Sequence, residues 1–498
     1  MGQYLLEGPH MPPLEMFWFL VPLALQCLLL HPVFSPAFSR FARLSLLAPS
    51  ICLSFRTPYN YAIEPRNQAI GLNFVIGIMS GYGVWKSLEW GLAEDLLPYT
   101  WVGFDEPGEA SENGEAKNGR AAANGTGPDK KDVKKEAKKR RIQRERVQLE
   151  TLRRQQATDS PWQIVKSTLH LLYSMRGNGY VFGTTSTDPF PLEPRPFLRR
   201  LLLEIAWSHP LLVFCAALLL EPTTSRDAYV YALFPSFPVQ YAHLVGEGVT
   251  AFSMGIAVFA ALTLGYSVAT LLVFSANHLL RRLPIPSALK PTPFDAREYP
   301  PLFNFAEIPS SVAVFWSKQW HSFFSRPFRF LAFDPAQRMF GKMPGRVIGV
   351  LGVFALSAWI HEFGDLLSAV LYCLGTDPLR TGLSTATSAL PSSELPLSFL
   401  LRYGGSVYFM AQGVAIILEG MFTAVTGRKT GGWIGTLWAT LWIIACGRPL
   451  YKAWLTQGLV REVPPVRYWG WQRFILPLGC LQPPPMWMNS LPEWYDGC

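Results

Sequence analysis

Long apolar runs recur along the whole chain, and they leave few folds open to it. They fall at 14–31, 41–56, 68–86, 197–220, 248–276, 347–374, 400–425 and 433–455. A helix needs roughly 20 residues to cross ~30 Å of hydrocarbon, and in lipid an isolated segment satisfies its backbone polar groups only as a helix. The second run is short and holds Pro49, which fits a tilted or re-entrant piece. Composition agrees: 49% of residues are hydrophobic and 16% charged, against about a quarter charged in soluble domains. The expected fold class is an all-α polytopic membrane protein with about eight transmembrane helices. The opening MGQYLLEGPHMPPLEMFW has neither a basic n-region nor a small-residue cleavage site, so the first helix is expected to direct insertion.

The net charge of +9 invites a nucleic-acid reading until it is located. From Asp129 to Arg154 there are 12 Lys/Arg against 5 Asp/Glu, so most of the surplus sits in one hydrophilic insert. Its first half, rich in Gly, Asn, Ala and Glu, lacks a core-forming pattern and is expected to be disordered, and its second half to form a transient charged helix. Three regions follow: N-terminal membrane helices at 1–103, a basic insert at 104–160 and a membrane core at 161–498. If the insert is cytosolic, so are Arg195, Arg199, Arg200, the connection 281–346, Arg428 and Lys429, while the Lys/Arg-poor loop 375–398 lies outside. The Asn124-Gly-Thr126 acceptor is then never glycosylated. Seven cysteines without a CxxC and eight scattered histidines give no disulfide framework and no metal site.

Two stretches carry candidate chemistry. In "LSAWIHEFGDLL", 356–367, three ionisable groups interrupt an apolar run, where such groups are rare and usually functional. His361 lies 14 residues beyond Val347, about 21 Å along a helix. Ser357, His361 and Asp365 share one face; Glu362 lies about 100° away. A histidine there is either a general base facing a polar tunnel or a buried ring bonded to a neighbouring helix. The second stretch, "VFWSKQWHSFFSRPFRF" at 314–330, reads as an interfacial amphipathic helix. Lys318, Arg326 and Arg329 are candidates to meet coenzyme A phosphates and His321 to orient reacting groups; membrane anchoring alone is the alternative. Gln412 and Glu419, i and i+7, are candidates to line the same cavity or to make helix-packing hydrogen bonds.

The ordered pair FW-x3-WH at 315–321 and SA-x2-HE at 357–362 resembles the membrane-bound O-acyltransferase superfamily, and within it the fungal and plant wax-synthase branch. Pro300-Pro301-Leu302-Phe303, Ser310 and Ser311 fit that branch's lead-in, and Arg176-Gly177-Asn178-Gly179-Tyr180 is similar to a segment after its basic loop. The resemblance implies helices around a central tunnel, His361 as catalytic histidine, Glu362 as the glutamate that follows it, and His321 at a polar position often asparagine or histidine. It implies that Phe315, Trp316 and Trp320 line an acyl-CoA tunnel, with Lys318, Arg326, Ser357 and Gln412 among the substrate-binding candidates. Val314 and Ser317 depart from the acidic residue and glycine common at those places. The implied activity is transfer of a long-chain or acetyl group from acyl-CoA, a co-substrate and not a bound cofactor, to a hydrophobic alcohol such as a fatty alcohol or terpenoid. The endoplasmic reticulum is the expected membrane. The alternative is a proton-coupled transporter using His361, Glu362, Asp365 and Glu419, against which no internal repeat is visible.

Overall fold

The computed structural model describes residues 13–61, 70–104, 130–183, 190–220, 238–287, 290–305, 308–368 and 403–456. The loop 375–398, Asn124-Gly-Thr126 and the side chain of Asp365 lie outside the described residues. Within them the chain is helical, and its one strand-like pairing is the isolated bridge Trp101–Tyr180.

The first two apolar runs are not single crossing helices. The run 14–31 is a 3₁₀ turn, Pro13–Phe17, followed by the nine-residue helix α1, Leu20–Leu28. The run 41–56 is divided at Leu46 between α2, Pro36–Ser45, and α3, Leu47–Asn60. At 1.5 Å per residue neither α1 nor α3 reaches across ~30 Å of hydrocarbon. Buried polar groups explain how these short pieces stack: Arg43 donates to the carbonyls of Trp90 and Ala93, and Ser50 bonds Ser87. All three partners lie at or near the C-terminal end of α4, Ile70–Leu92.

The basic insert differs from expectation in its second half. Lys130–Gln156 form α5, and its last turn is docked rather than transient. Arg153 donates to the carbonyls of Leu96 (3.1 Å) and Leu30 (2.7 Å), and Gln156 to that of Trp101 (3.0 Å). The charges pattern predicted a solvated helix; the contact partners, loop carbonyls from another region, carry no sequence signature. Ser160, Pro161 and Gln163 then form a capping box that starts α6, Pro161–Tyr173.

The later helices are α7 (Pro194–Leu220), α8 (Val239–Arg282), α9 (Lys342–Ser368), α10 (Gly404–Thr426) and α11 (Gly432–Thr456). Within the described residues three segments are both long and apolar enough to cross a membrane: Tyr241–Arg282, Lys342–Gly364 and Gly404–Thr426. Packing runs α3–α4–α9–α10–α11–α8–α7. Its central apolar cluster joins Met254, Phe354, Tyr408, Phe409, Leu450 and Trp454 from four of these helices.

Candidate active site

The connection between α8 and α9 is not one amphipathic helix. It is a chain of short turns: Val312–Val314, a π-turn Phe315–Gln319, a break at Trp320, then Ser325–Phe328, a second π-turn Arg329–Phe333 and Asp334–Phe340. π-turns widen the backbone and gather at functional sites. Tertiary contacts impose this path. Glu419 on α10 accepts from the backbone N–H of Val312 (2.8 Å) and Ala313 (3.0 Å), while Ser311 caps the same turn through Val314 N–H. One face of α10 supplies a second anchor, since Gln412 Oε1 accepts from the indole of Trp316 at 3.3 Å. The i, i+7 pair thus makes hydrogen bonds to this connection, the packing alternative of the sequence. Gln412 is fully buried and its Nε2 has no hydrogen-bond partner among the described residues.

Trp316 therefore turns into the core instead of lying on the face of one interfacial helix. Its ring lies 5.7 Å from Phe354 and 6.0 Å from Phe409, and 5.6 Å from Trp320. Phe409 lies 4.4 Å from the ring of His361, with Trp454 at 6.3 Å. Phe315, Trp316 and Trp320 pack on one another, and Trp320 contacts His321 at 5.5 Å. An unbroken aromatic path thus joins the two histidines across sequence positions 40 apart.

His361 Nδ1 lies 2.7 Å from the carbonyl oxygen of Ser357. A carbonyl only accepts, so Nδ1 carries the proton and Nε2 holds the free lone pair. Ser357 contributes its backbone here. Glu362 Oε1 accepts from Ser406 N–H at 2.8 Å, at the first turn of α10, where a carboxylate also meets the positive helix end. Its visible work is to tie α9 to α10.

His321 is enclosed by Phe303, Trp320, Phe323 and Phe324, and its Nδ1 has no hydrogen-bond partner among the described residues. Burial, then the nearby His361 and Arg176, push its imidazole down to about 3. Arg176, half-buried, donates to Ser322 Oγ (3.1 Å) and to the carbonyls of Pro300 (3.0 Å) and Pro301 (3.1 Å). Asn178 donates to the carbonyl of Glu298, and Tyr266 to that of Pro300. The 176–180 segment and the 300–303 lead-in, more than 100 positions apart, are thus one clamp around His321. Its turn needs glycine: Gly177 has φ +67° and Gly179 φ +82°, and a Cβ at Gly179 would lie 2.3 Å from the Trp101 ring.

The three cations expected at coenzyme A divide. Lys318 is exposed. Arg329 is exposed and 3.8 Å from Asp334. Arg326 does not turn outward: its Nε lies 3.2 Å from Glu89, whose fully buried carboxylate also accepts from Tyr99 and pairs with Lys86 at 2.9 Å. A buried carboxylate holds its cations strongly, because losing one leaves an uncompensated charge. Arg326 is therefore a strut between α4 and the connection. Arg176, Glu89 and Phe409 were missed as site residues; only Arg176 lay in a motif that singled it out.

Residues 299–372 match the model of the Membrane bound O-acyl transferase family. The matched stretch contains the lead-in, the aromatic turns, His321 and His361, and it supports a membrane O-acyltransferase. No curated protein and no solved structure matches the chain.

Proposed function

We propose that the protein is an integral membrane enzyme that moves an acyl group from acyl-CoA to the hydroxyl of a hydrophobic alcohol, a fatty alcohol or terpenoid, in the manner of wax synthases. The observation that carries the reading is the meeting of His361, on an apolar helix, with the aromatic turns 315–321 inside the family match. In this reading a passage between α4 and α7–α11 brings the thioester from the cytosolic side and the alcohol from lipid. The insert 104–160 and the connection 281–346 face the cytosol, in the endoplasmic reticulum membrane.

His361 Nε2 takes the hydroxyl proton while the alcohol oxygen attacks the thioester carbonyl. The tetrahedral oxyanion collapses, the C–S bond breaks and the proton passes to the departing thiolate. General-base assistance contributes typically 10²–10⁴-fold. Gln412 Nε2, a buried donor without a described partner, is suited to the developing oxyanion. His321, held unprotonated, is suited to orient the hydroxyl, and the aromatic walls keep out water that would hydrolyse the donor. The transporter alternative finds no support in the family match.

The test is His361→Ala in membranes supplied with labelled acetyl-CoA or palmitoyl-CoA and a panel of fatty and terpenoid alcohols. Ester formation is expected to fall at least 10²-fold at normal protein abundance. Retained transfer would sink the general-base role, and donor preference separates the acetyl from the long-chain reading.

A further inference from the structure

At the foot of α8 a cavity of about 290 Å³ opens between α7, α8 and the loop that follows. Its floor is apolar, with Phe197 and Phe294 among its residues, and its polar lining is Asn277, His278, Arg281 and Arg282. No carboxylate lines it. From Gly248 to Ala276 the helix holds no charged residue. With α8 read as spanning the membrane, these four stand just past its uncharged stretch, toward the headgroup region.

Two details define what the cavity would hold. Arg281 gives one N–H to the carbonyl of Pro291 at 2.8 Å. Arg282 is exposed, and no carboxylate stands beside it in the lining of the cavity. Both therefore have donors to spare for a phosphate, whose geometry suits the guanidinium fork. Asn277 donates its Nδ2 to the carbonyl of Thr292 at 2.9 Å, which fixes the amide orientation. Its Oδ1 is then an acceptor, and it is buried without a hydrogen-bond partner. A ligand answering both needs carries an anionic phosphate and, beside it, a hydroxyl or ammonium donor. Exposed Leu272, Leu279 and Leu280 lie on the same end of α8 and offer an apolar track for acyl chains.

We infer that this cavity is a binding site for the headgroup of an anionic phospholipid bearing a hydroxyl or ammonium group, such as an inositol, glycerol or serine lipid. Basic pockets between membrane helices recognise such headgroups by this chemistry. The inference does not depend on acyl transfer, since none of these residues belongs to the site around His361.

The experiment uses the full chain purified in detergent and titrated with dioctanoyl phosphatidylinositol, with binding read by native mass spectrometry and thermal shift. Dioctanoyl phosphatidylcholine, inorganic phosphate and coenzyme A are parallel arms. Expected is saturable binding of the inositol lipid over the choline lipid, weakened about tenfold in Arg281→Ala/Arg282→Ala and reduced in Asn277→Leu. Arg338→Ala, an exposed cation away from the cavity, leaves binding unchanged. Equal binding of both lipids, or affinity indifferent to the double substitution, overturns the proposal. So does inorganic phosphate or coenzyme A binding as tightly as the lipid with the same dependence on Arg281 and Arg282, because the site would then be one for soluble phosphates.

Discussion

One turn of helix fixes which nitrogen of His361 is available. Nδ1 lies 2.7 Å from the Ser357 carbonyl and donates its proton there, which leaves the lone pair on Nε2. Gln412 is the natural second residue to test, since its Oε1 is used by Trp316 and its Nε2 is not. Gln412→Met is expected to lower turnover 10–10³-fold while the KM for the donor changes little. It also strips Trp316 of its acceptor, at about 1–3 kcal/mol of stability. His321 gives a pH signature. Its imidazole is held down to about 3 in the folded chain, against about 6.5 when unfolded. The neutral ring contributes fully above pH 6.5, and that contribution is lost as pH falls from 6.5 toward 3, because the unfolded chain takes up the proton first. At pH 5 the loss is about 2 kcal/mol. Melting curves at pH 7.5 and pH 5 are expected to diverge in the wild type and to move closer in His321→Asn; an unchanged gap would remove His321 as its source.

At the scale of elements, the connection 311–340 is shaped from outside itself. Glu419 satisfies two N-terminal amides of its first turn and also accepts from Trp438 Nε1 at 3.0 Å. Glu419→Ala breaks three charge-assisted bonds in a buried place. It is expected to destabilise the protein by about 2–4 kcal/mol and to expose the 308–316 region to proteolysis, readable by limited digestion. The clamp behaves similarly. Gly179→Ala puts a Cβ against Trp101 at a positive φ, and a loss of about 1–3 kcal/mol is expected in thermal unfolding. The order of motifs makes the histidine, the aromatic frame and the RGNGY segment worth reading together. Their contact is not legible in that order. Local pattern makes the aromatic turns look like one interfacial helix because it cannot register caps supplied by a carboxylate more than 100 positions later. The Arg326 contact is invisible to local pattern for the same reason: its partner Glu89 is 237 positions away.

At the scale of the whole molecule, the orientation proposed from positive charges makes Asn124 a direct reporter. With the insert cytosolic, translation in microsomes leaves the Asn124-Gly-Thr126 site unmodified, and a glycosidase-sensitive shift lost in Asn124→Gln would reverse the topology. The insert is also two pieces with different consequences. Removing 105–129 is expected to leave activity within about twofold, since those residues carry none of the proposed chemistry. Extending the deletion through 156 also removes Arg153 and Gln156, which hold the carbonyls of Leu30, Leu96 and Trp101. Stability is expected to fall by about 1–3 kcal/mol.

A helical membrane chain, and an ionisable cluster that interrupts an apolar run at 361, can both be read from the order of residues alone. Hydrophobic length and the cost of charge in lipid are local properties, written residue by residue. The order of the motifs is equally local and survives without coordinates. That α1 and α3 stop short of a crossing and that Arg326 braces α4 follows from the packed fold. It alone decided that Glu419 and Gln412 anchor the aromatic turns, and that Arg176 closes a clamp on His321. Those outcomes rest on hydrogen bonds and ion pairs between residues far apart in the chain, whose geometry exists only once the helices have packed.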